Sequence, residues 1–247
     1  MKKLFMFIAA VLALVSCSSV TSNKEDIMVQ EDRKVGKFTS IAIQGSPTVI
    51  YRQGNTCSVK VRANKSVIKD IKTTIDKGCL NVSMKGNGGF FVFSKEKPIT
   101  IYVTSPDLIG VEIAGSGDFK SEMPLDTDNI RLVVRGSGDI DFDGKILCDN
   151  AKMEVTGSGD IDVKDIEALT TDISVIGSGE IDVNQQKVIN TDVRLTGSGD
   201  ITIKCESCGN INSNLTGSGD ISIYGSVNNI SKQKAGSGDY NINVTKK

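Results

Sequence analysis

Gly136-Ser137-Gly138-Asp139-Ile140, Gly157-Ser158-Gly159-Asp160-Ile161, Gly177-Ser178-Gly179-Glu180-Ile181, Gly197-Ser198-Gly199-Asp200-Ile201 and Gly217-Ser218-Gly219-Asp220-Ile221 are copies of one turn. Flanking copies, Gly115-Ser116-Gly117-Asp118-Phe119 and Gly236-Ser237-Gly238-Asp239-Tyr240, make seven, at steps of 21, 21, 20, 20, 20 and 19 residues. A fixed short period is the signature of a solenoid, in which each coil lies on the one before and like residues stack in columns. After the turn run Phe119, Ile140, Ile161, Ile181, Ile201, Ile221 and Tyr240, then Phe142, Val163, Val183, Ile203, Ile223 and Ile242. Before it stand Ile113, Val134, Val155, Val175, Leu195 and Leu215, separated by mostly polar Glu112, Val133, Glu154, Ser174, Arg194 and Asn214. This period-two alternation predicts one strand before each corner and one after it, each with an inward apolar face.

A third stretch opens with small residues (Thr127, Cys148, Ala168, Val188, Cys208, Val227) and continues into Asn129, Asn150, Thr170, Asn190, Asn210 and Asn229. Stacked asparagines suit a second corner, where a side-chain amide bonds the backbone of the neighbouring coil. Two or three short strands and two corners fill ~20 residues, the size of a parallel β-helix rung. The expectation is an all-β solenoid rod over 38–247, with regular rungs over 111–244. No stretch has sustained helical periodicity. Aromatics are 5% and tryptophan is absent, which predicts an aliphatic core.

The amino terminus speaks to the compartment. Lys2 and Lys3 precede an apolar run, Leu4 to Val15, and Leu14-Val15-Ser16-Cys17 resembles the lipobox of bacterial lipoproteins. The run is too short to span a bilayer as a mature helix. Residues 1–16 read as a signal peptide, Cys17 as the attachment point for palmitate-type acyl chains, and 17–37 as a flexible tether. Ser18 after the cysteine fits, by resemblance to sorting patterns, an outer-membrane lipoprotein whose periplasmic or surface orientation stays open. Without Lys2 and Lys3, 27 basic residues face 30 acidic ones, so no basic face for nucleic acid is implied.

Residues 38–110 keep the strand alternation without the full motif. Phe38, Ile41 and Ile43 lead to Gly45-Ser46-Pro47-Thr48, a degenerate corner, and Val49-Ile50-Tyr51 follows it. Val59/Val61, Leu80/Val82/Met84 and Ile99/Ile101/Val103 predict longer, irregular coils that cap the stack. Gly86-Asn87-Gly88-Gly89 precedes Phe90, Phe91 and Phe93, which read as burying against the first rung or, if exposed, as a partner patch.

The lipobox, the opening Phe38, Ile41, Ile43, Gly45, the strand Ile99-Thr100-Ile101-Tyr102-Val103-Thr104-Ser105-Pro106 and the serial Gly-Ser-Gly-Asp turns resemble the head GIN domain family over about residues 38–244. The resemblance implies a right-handed parallel β-helix, a Bacteroidetes-type envelope location and a proposed role as an auto-transporter adhesin. It also implies likeness to pectin-lyase-type solenoids without their catalytic residues.

The chemistry centres on the corner acids Asp118, Asp139, Asp160, Glu180, Asp200, Asp220 and Asp239, joined by Asp141, Asp162 and Asp182 two positions on. Stacked ~5 Å apart, carboxylates repel by ~0.8 kcal/mol per pair in water, so something must compensate. Turn amides, freed by Gly115, Gly136, Gly157, Gly177, Gly197, Gly217 and Gly236, are one answer, and bound Ca²⁺ is another. The chain has no histidine for a nucleophile relay or imidazole metal site. Carboxylate pairs recur on every rung, whereas glycoside chemistry needs one pair set apart with divergent pKa values. Cys205-Glu206-Ser207-Cys208 is a lone CxxC, with Cys208 in the core column, Cys205 toward solvent and a local bridge possible. Cys57 and Cys79 could meet on early coils.

The reading is therefore a non-catalytic, lipid-anchored envelope rod with no resident cofactor. It would bind the membrane through its anchor and an envelope or host macromolecule, protein or glycan, along a flank or tip, and homo-oligomers are compatible with it. A polysaccharide-binding or polysaccharide-cleaving protein is the alternative, and a Ca²⁺-stiffened rod a further one.

Overall fold

In the computed structural model, residues 27–85 and 98–246 are described. The expected signal peptide at 1–16, the expected anchor Cys17 and the Phe90–Phe93 stretch lie outside them. The chain forms a β-solenoid of about seven turns with no α-helix among the described residues.

Each regular rung runs inward-facing strand, glycine corner, second strand, short third side and asparagine corner. The pre-corner strands Gly110–Gly115, Asn129–Gly136, Asn150–Gly157, Thr170–Gly177 and Asn190–Gly197 stack in parallel, continuing into residues 210–217 and 229–236. The register pairs glycine with glycine: Gly115, Gly136, Gly157, Gly177, Gly197, Gly217 and Gly236 form one line. The post-corner strands from Asp118–Ser121 to Tyr240–Lys246 stack likewise. The third side stacks Leu125, Ile146, Ile166, Gln185 and Cys205.

All three sides turn their apolar columns onto one core. Ile140, Ile161, Ile181, Ile201 and Ile221 are wholly buried. Each such side chain contributes about 1.5–3 kcal/mol relative to exposure. The core is not purely aliphatic: Tyr51 stacks on Phe119 at 6.0 Å and Phe119 on Phe142 at 5.4 Å, so the few aromatics gather at the amino-terminal end. Gln185 is also 1% exposed, yet it donates to Thr171 Oγ1 and accepts from Thr191 at 2.9 Å each, and Thr171 donates to Thr191 at 2.9 Å. That closed triangle satisfies all three buried polar side chains.

The amino-terminal region departs from simple capping coils. Gly45 lies over Gly115, so the degenerate corner is a true neighbour of the first full motif despite a gap of 70 residues. Thr100–Ser105 then stacks on the far side of Thr48–Gln53. Antiparallel pairing, not parallel coiling, finishes this end: Ser58–Asn64 runs against Thr100–Ser105, and Ile71–Asp76 forms a hairpin with Cys79–Met84. Lys77 and Gly78, both at positive φ, close that hairpin in two residues. The expected flexible tether of 17–37 is also too long, because Met28–Arg33 is a strand antiparallel to Ser58–Asn64. Arg33 fixes it further by donating to the Ile68 carbonyl at 2.7 Å.

At the other end, Lys232 and Lys234 occupy the inward columns held by Ser213 and Leu215 one rung earlier. Lys234 pairs with Asp239 at 3.1 Å and Lys232 Nζ lies 5.4 Å from the Tyr240 ring. An edge strand with inward lysines resists further strand addition.

The corner depends on two glycines of different kinds. The first of each motif holds φ between 124° and 139°, which side chains rarely adopt. The third meets the rung below: a Cβ on Gly159 would sit 2.1 Å from the Gly138 carbonyl oxygen and 2.8 Å from Val134. Gly159→Ala is therefore expected to lower stability by more than 2 kcal/mol in urea melts, well beyond the ~1 kcal/mol of an ordinary glycine-to-alanine strain. Gly78→Asn, where nothing lies within 4 Å, is expected to change it by less than ~1 kcal/mol.

Candidate functional site

The corner acids line one flank as the sequence predicts, but their compensation differs from a bond to their own turn. Four of the carboxylates accept the backbone N–H of the acid one rung later. Asp139 Oδ1 accepts from Asp160 at 3.2 Å, Asp160 from Glu180 at 2.9 Å, Asp200 from Asp220 at 2.9 Å and Asp220 from Asp239 at 2.8 Å. A charge-assisted bond of this kind offsets most of the neighbour repulsion and ties adjacent rungs together. Asp118, at the start, accepts instead from the Thr48 hydroxyl at 3.3 Å.

Glu180 interrupts the ladder. The N–H of Asp200 turns to the Gly179 carbonyl at 3.2 Å, and the longer Glu180 side chain lies near Asp182. Burial, then the charges of Asp182, Asp160 and Asp200, push the Glu180 carboxyl above its ordinary range. Asp139 is also raised, first by burial, with the Asp160 N–H opposing and the neighbouring carboxylates adding.

The second acidic column exists as expected: Asp141, Asp162 and Asp182 are register partners, bounded by Lys120 and Thr202. Lysines neutralise part of it. Lys120 Nζ lies 2.7 Å from Asp141 and Lys164 pairs with Asp162. Among the described residues no group of three or more His, Cys, Asp or Glu side chains converges to hold a metal ion.

The asparagine corner also differs in detail. Its amides bond each other rather than backbone: Asn150 donates to Asn129 at 2.9 Å, Asn210 to Asn190 at 3.1 Å and Asn229 to Asn210 at 3.0 Å, while the Thr170 hydroxyl donates to Asn150 at 2.7 Å.

A charged network on the pre-corner sheet was missed by reading columns singly. Arg135 pairs with Glu112, Arg131 and Lys152 with Glu154, and Lys152 and Arg194 with Asp172. The signal lay in two columns read diagonally. Burial raises the Glu154 carboxyl, but Lys152 and Arg131 outweigh it and hold it below the usual range. Val133, outward by parity, is only 2% exposed amid these side chains.

Cys205 is buried at 6% exposure, not turned to solvent, because it continues the inward alternation of Ile201 and Ile203; the shift beyond it at Ser207, whose φ is 59°, turns Cys208 inward as well. Cys57, Cys79, Cys148, Cys205 and Cys208 are all free thiols here. No helix among the described residues is long and apolar enough to cross a membrane.

This rung geometry and its repeated corner place the chain among known proteins. The profile of the family described as "Putative auto-transporter adhesin, head GIN domain" matches residues 37–226. The chain belongs to the head GIN domain family. A crystal structure of a "putative adhesin" from Bacteroides fragilis NCTC 9343 superposes with a TM-score of 0.78 at 24% identity, covering 87% of this chain and 97% of that one. One of a "Putative lipid binding protein" from Parabacteroides distasonis ATCC 8503 gives 0.73 at 22%, covering 87% and 96%. A "putative adhesin" from Parabacteroides merdae ATCC 43184 gives 0.68 at 16%, covering 88% and 96%. At these identities the likeness shows a shared fold. No curated protein sequence matches the chain.

The raised Glu180 carboxyl gives a pH test. A carboxyl whose folded pKa exceeds its unfolded value binds protons more tightly when folded, so it loses stability as pH rises through that range. Glu180→Gln is expected to raise stability at pH 7 by about 0.5 kcal/mol, given screening at an exposed site. Thermal melts should show the advantage vanishing below about pH 4, where the wild-type carboxyl is protonated in both states.

Proposed function

We propose that this protein is a non-catalytic, lipid-anchored rod of the cell envelope that binds a macromolecule along its acidic corner flank. The carrying observation is repetition: a carboxylate recurs at every corner from Asp139 to Asp239 along one line, with Glu180 the one step where the rung-to-rung bond is absent. Such a ladder suits multivalent contact, in which weak sites at a fixed spacing add into avidity. Catalysis needs one distinctive pair instead. Asp160, Glu180 and Asp200 are exposed, so a partner reaches them without rearrangement.

Family membership supports an envelope or surface setting, and the descriptions of related structures as adhesins support the binding role. The anchor is Cys17, and the chain from there to Ile27 carries the rod off the lipid surface. The flank's charge favours a partner with a cationic face, and the same ladder would hold a hydroxyl-rich glycan. Ca²⁺ could bridge the rod to an anionic partner as a shared ion.

Fractionation and surface proteolysis test this reading together. Cys17→Ser is expected to move the protein from the membrane to the soluble fraction, and protease added to intact cells is expected to degrade the wild type. Membrane retention of Cys17→Ser, or full protection in intact cells, would contradict it. Adhesion of coated beads to protein and glycan panels then separates the partner classes, with binding expected to weaken as salt rises.

A further inference from the structure

Positions three apart in a regular strand face opposite sides. Cys205 and Cys208 do not, because the corner at Ser207 turns the chain so that both side chains enter the core, at 6% and 1% exposure. Cys208 Sγ donates to the Gln185 carbonyl at 3.6 Å, and the two thiols are near enough for each to shift the other's ionisation. Their corner is braced by the following rung. A Cβ on Gly225, one rung later, would stand 2.0 Å from the Cys205 carbonyl oxygen, and the Ser207 N–H donates to Ser226 Oγ at 2.8 Å. The equivalent columns one rung earlier hold Gln185 and Val188, so the corner itself brings these positions together and the sequence fills both with sulfur here.

We propose that Cys205 and Cys208 are a redox pair that closes into an intramolecular disulfide across this corner. Cys205 borders an outer groove of about 460 Å³ that also includes Lys164, Lys204, Glu206 and Tyr224, and this groove gives an oxidant access. The pair holds its first thiolate readily. A Cys208 thiolate would accept from the Cys205 S–H, which lowers the Cys208 thiol to about 7, while the same interaction, then burial, raises Cys205.

The reaction is thiol–disulfide exchange with a small or protein disulfide. A thiolate of the pair attacks one oxidant sulfur, forming a mixed disulfide and releasing a thiolate. The second cysteine, giving up its proton, then attacks the first cysteine's sulfur and displaces the oxidant sulfur bound there as a second thiolate. The pair loses two electrons and two protons, and the oxidant becomes two thiols. That the compartment supplies such an oxidant rests on the envelope location proposed above; the pairing does not.

The test equilibrates the full-length protein in oxidised or reduced glutathione, quenches with acid, labels free thiols in denaturant and maps the peptides. After oxidation the Cys205–Cys208 peptide is expected to lose the mass of two hydrogens and take no label, and after reduction to take two labels. The melting temperature is expected to be higher in the oxidised sample, and Cys205→Ser to abolish that difference. Full labelling of both residues after oxidation, a stable glutathione adduct on either, or a cross-link to another cysteine would overturn the proposal. These mapping outcomes decide it even if Cys205→Ser fails to fold. A bridge that forms in vitro while protein taken from cells is fully reduced would uphold the pairing and count against the envelope location.

Discussion

The structure depends on how closely one corner backbone can approach the next. In each corner the first glycine's carbonyl accepts from the following rung's serine N–H, at 2.9 Å from Gly115 to Ser137 and 2.8 Å from Gly157 to Ser178. No side chain fits between them, since Cβ atoms on the stacked glycines would fall within 2.6 Å of a carbonyl oxygen one rung away. This backbone contact fixes the register of the strands on either side. A slip of one residue would turn the isoleucine columns outward, so corner and core specify the same stack.

Stacking also creates the flank. A column that repeats in sequence must repeat in space, and a repeated carboxylate would repel itself. The N–H of each following acid supplies the counter-dipole, so the ladder that costs charge repulsion also joins rungs. Glu180 shows the limits of that device: its side chain, one methylene longer, does not receive the Asp200 N–H, which goes instead to the Gly179 carbonyl. On the other broad face, diagonal pairs such as Arg131 with Glu154 tie neighbouring rungs. The two flat faces therefore differ, one laced by ion pairs and the other carrying excess acid toward solvent.

Much of this was legible in the sequence because a solenoid converts spacing directly into contact. Columns from Phe119 to Ile221 and the glycine line followed from the period, and the family from the resemblance of the turns, the Phe38 to Gly45 opening and the strand at 99–106. The early region was harder, since Gly45 and Gly115 touch across a 70-residue excursion and the strands within it pair antiparallel, which no column reports. Cys205 is misplaced when it is read back from Cys208 across a bulge instead of forward from Ile201 and Ile203, and a positive φ at a serine carries no sequence mark. The Gln185 triangle likewise needs three residues from two sides of the rung, none unusual alone. Candidate binding residues were readable as a line, whereas their partners, mostly backbone N–H groups, were not.

The central claim, that every corner lies directly over the last, is tested most directly by distances between spin labels. Ketone-bearing residues at position 137 and at 178, 198 or 218 would carry nitroxides without touching the native cysteines. The account predicts separations that grow linearly along this series by one rung spacing, ~4.8 Å, per step. Distances that fail to rise with rung number, or that alternate between near and far, would contradict it.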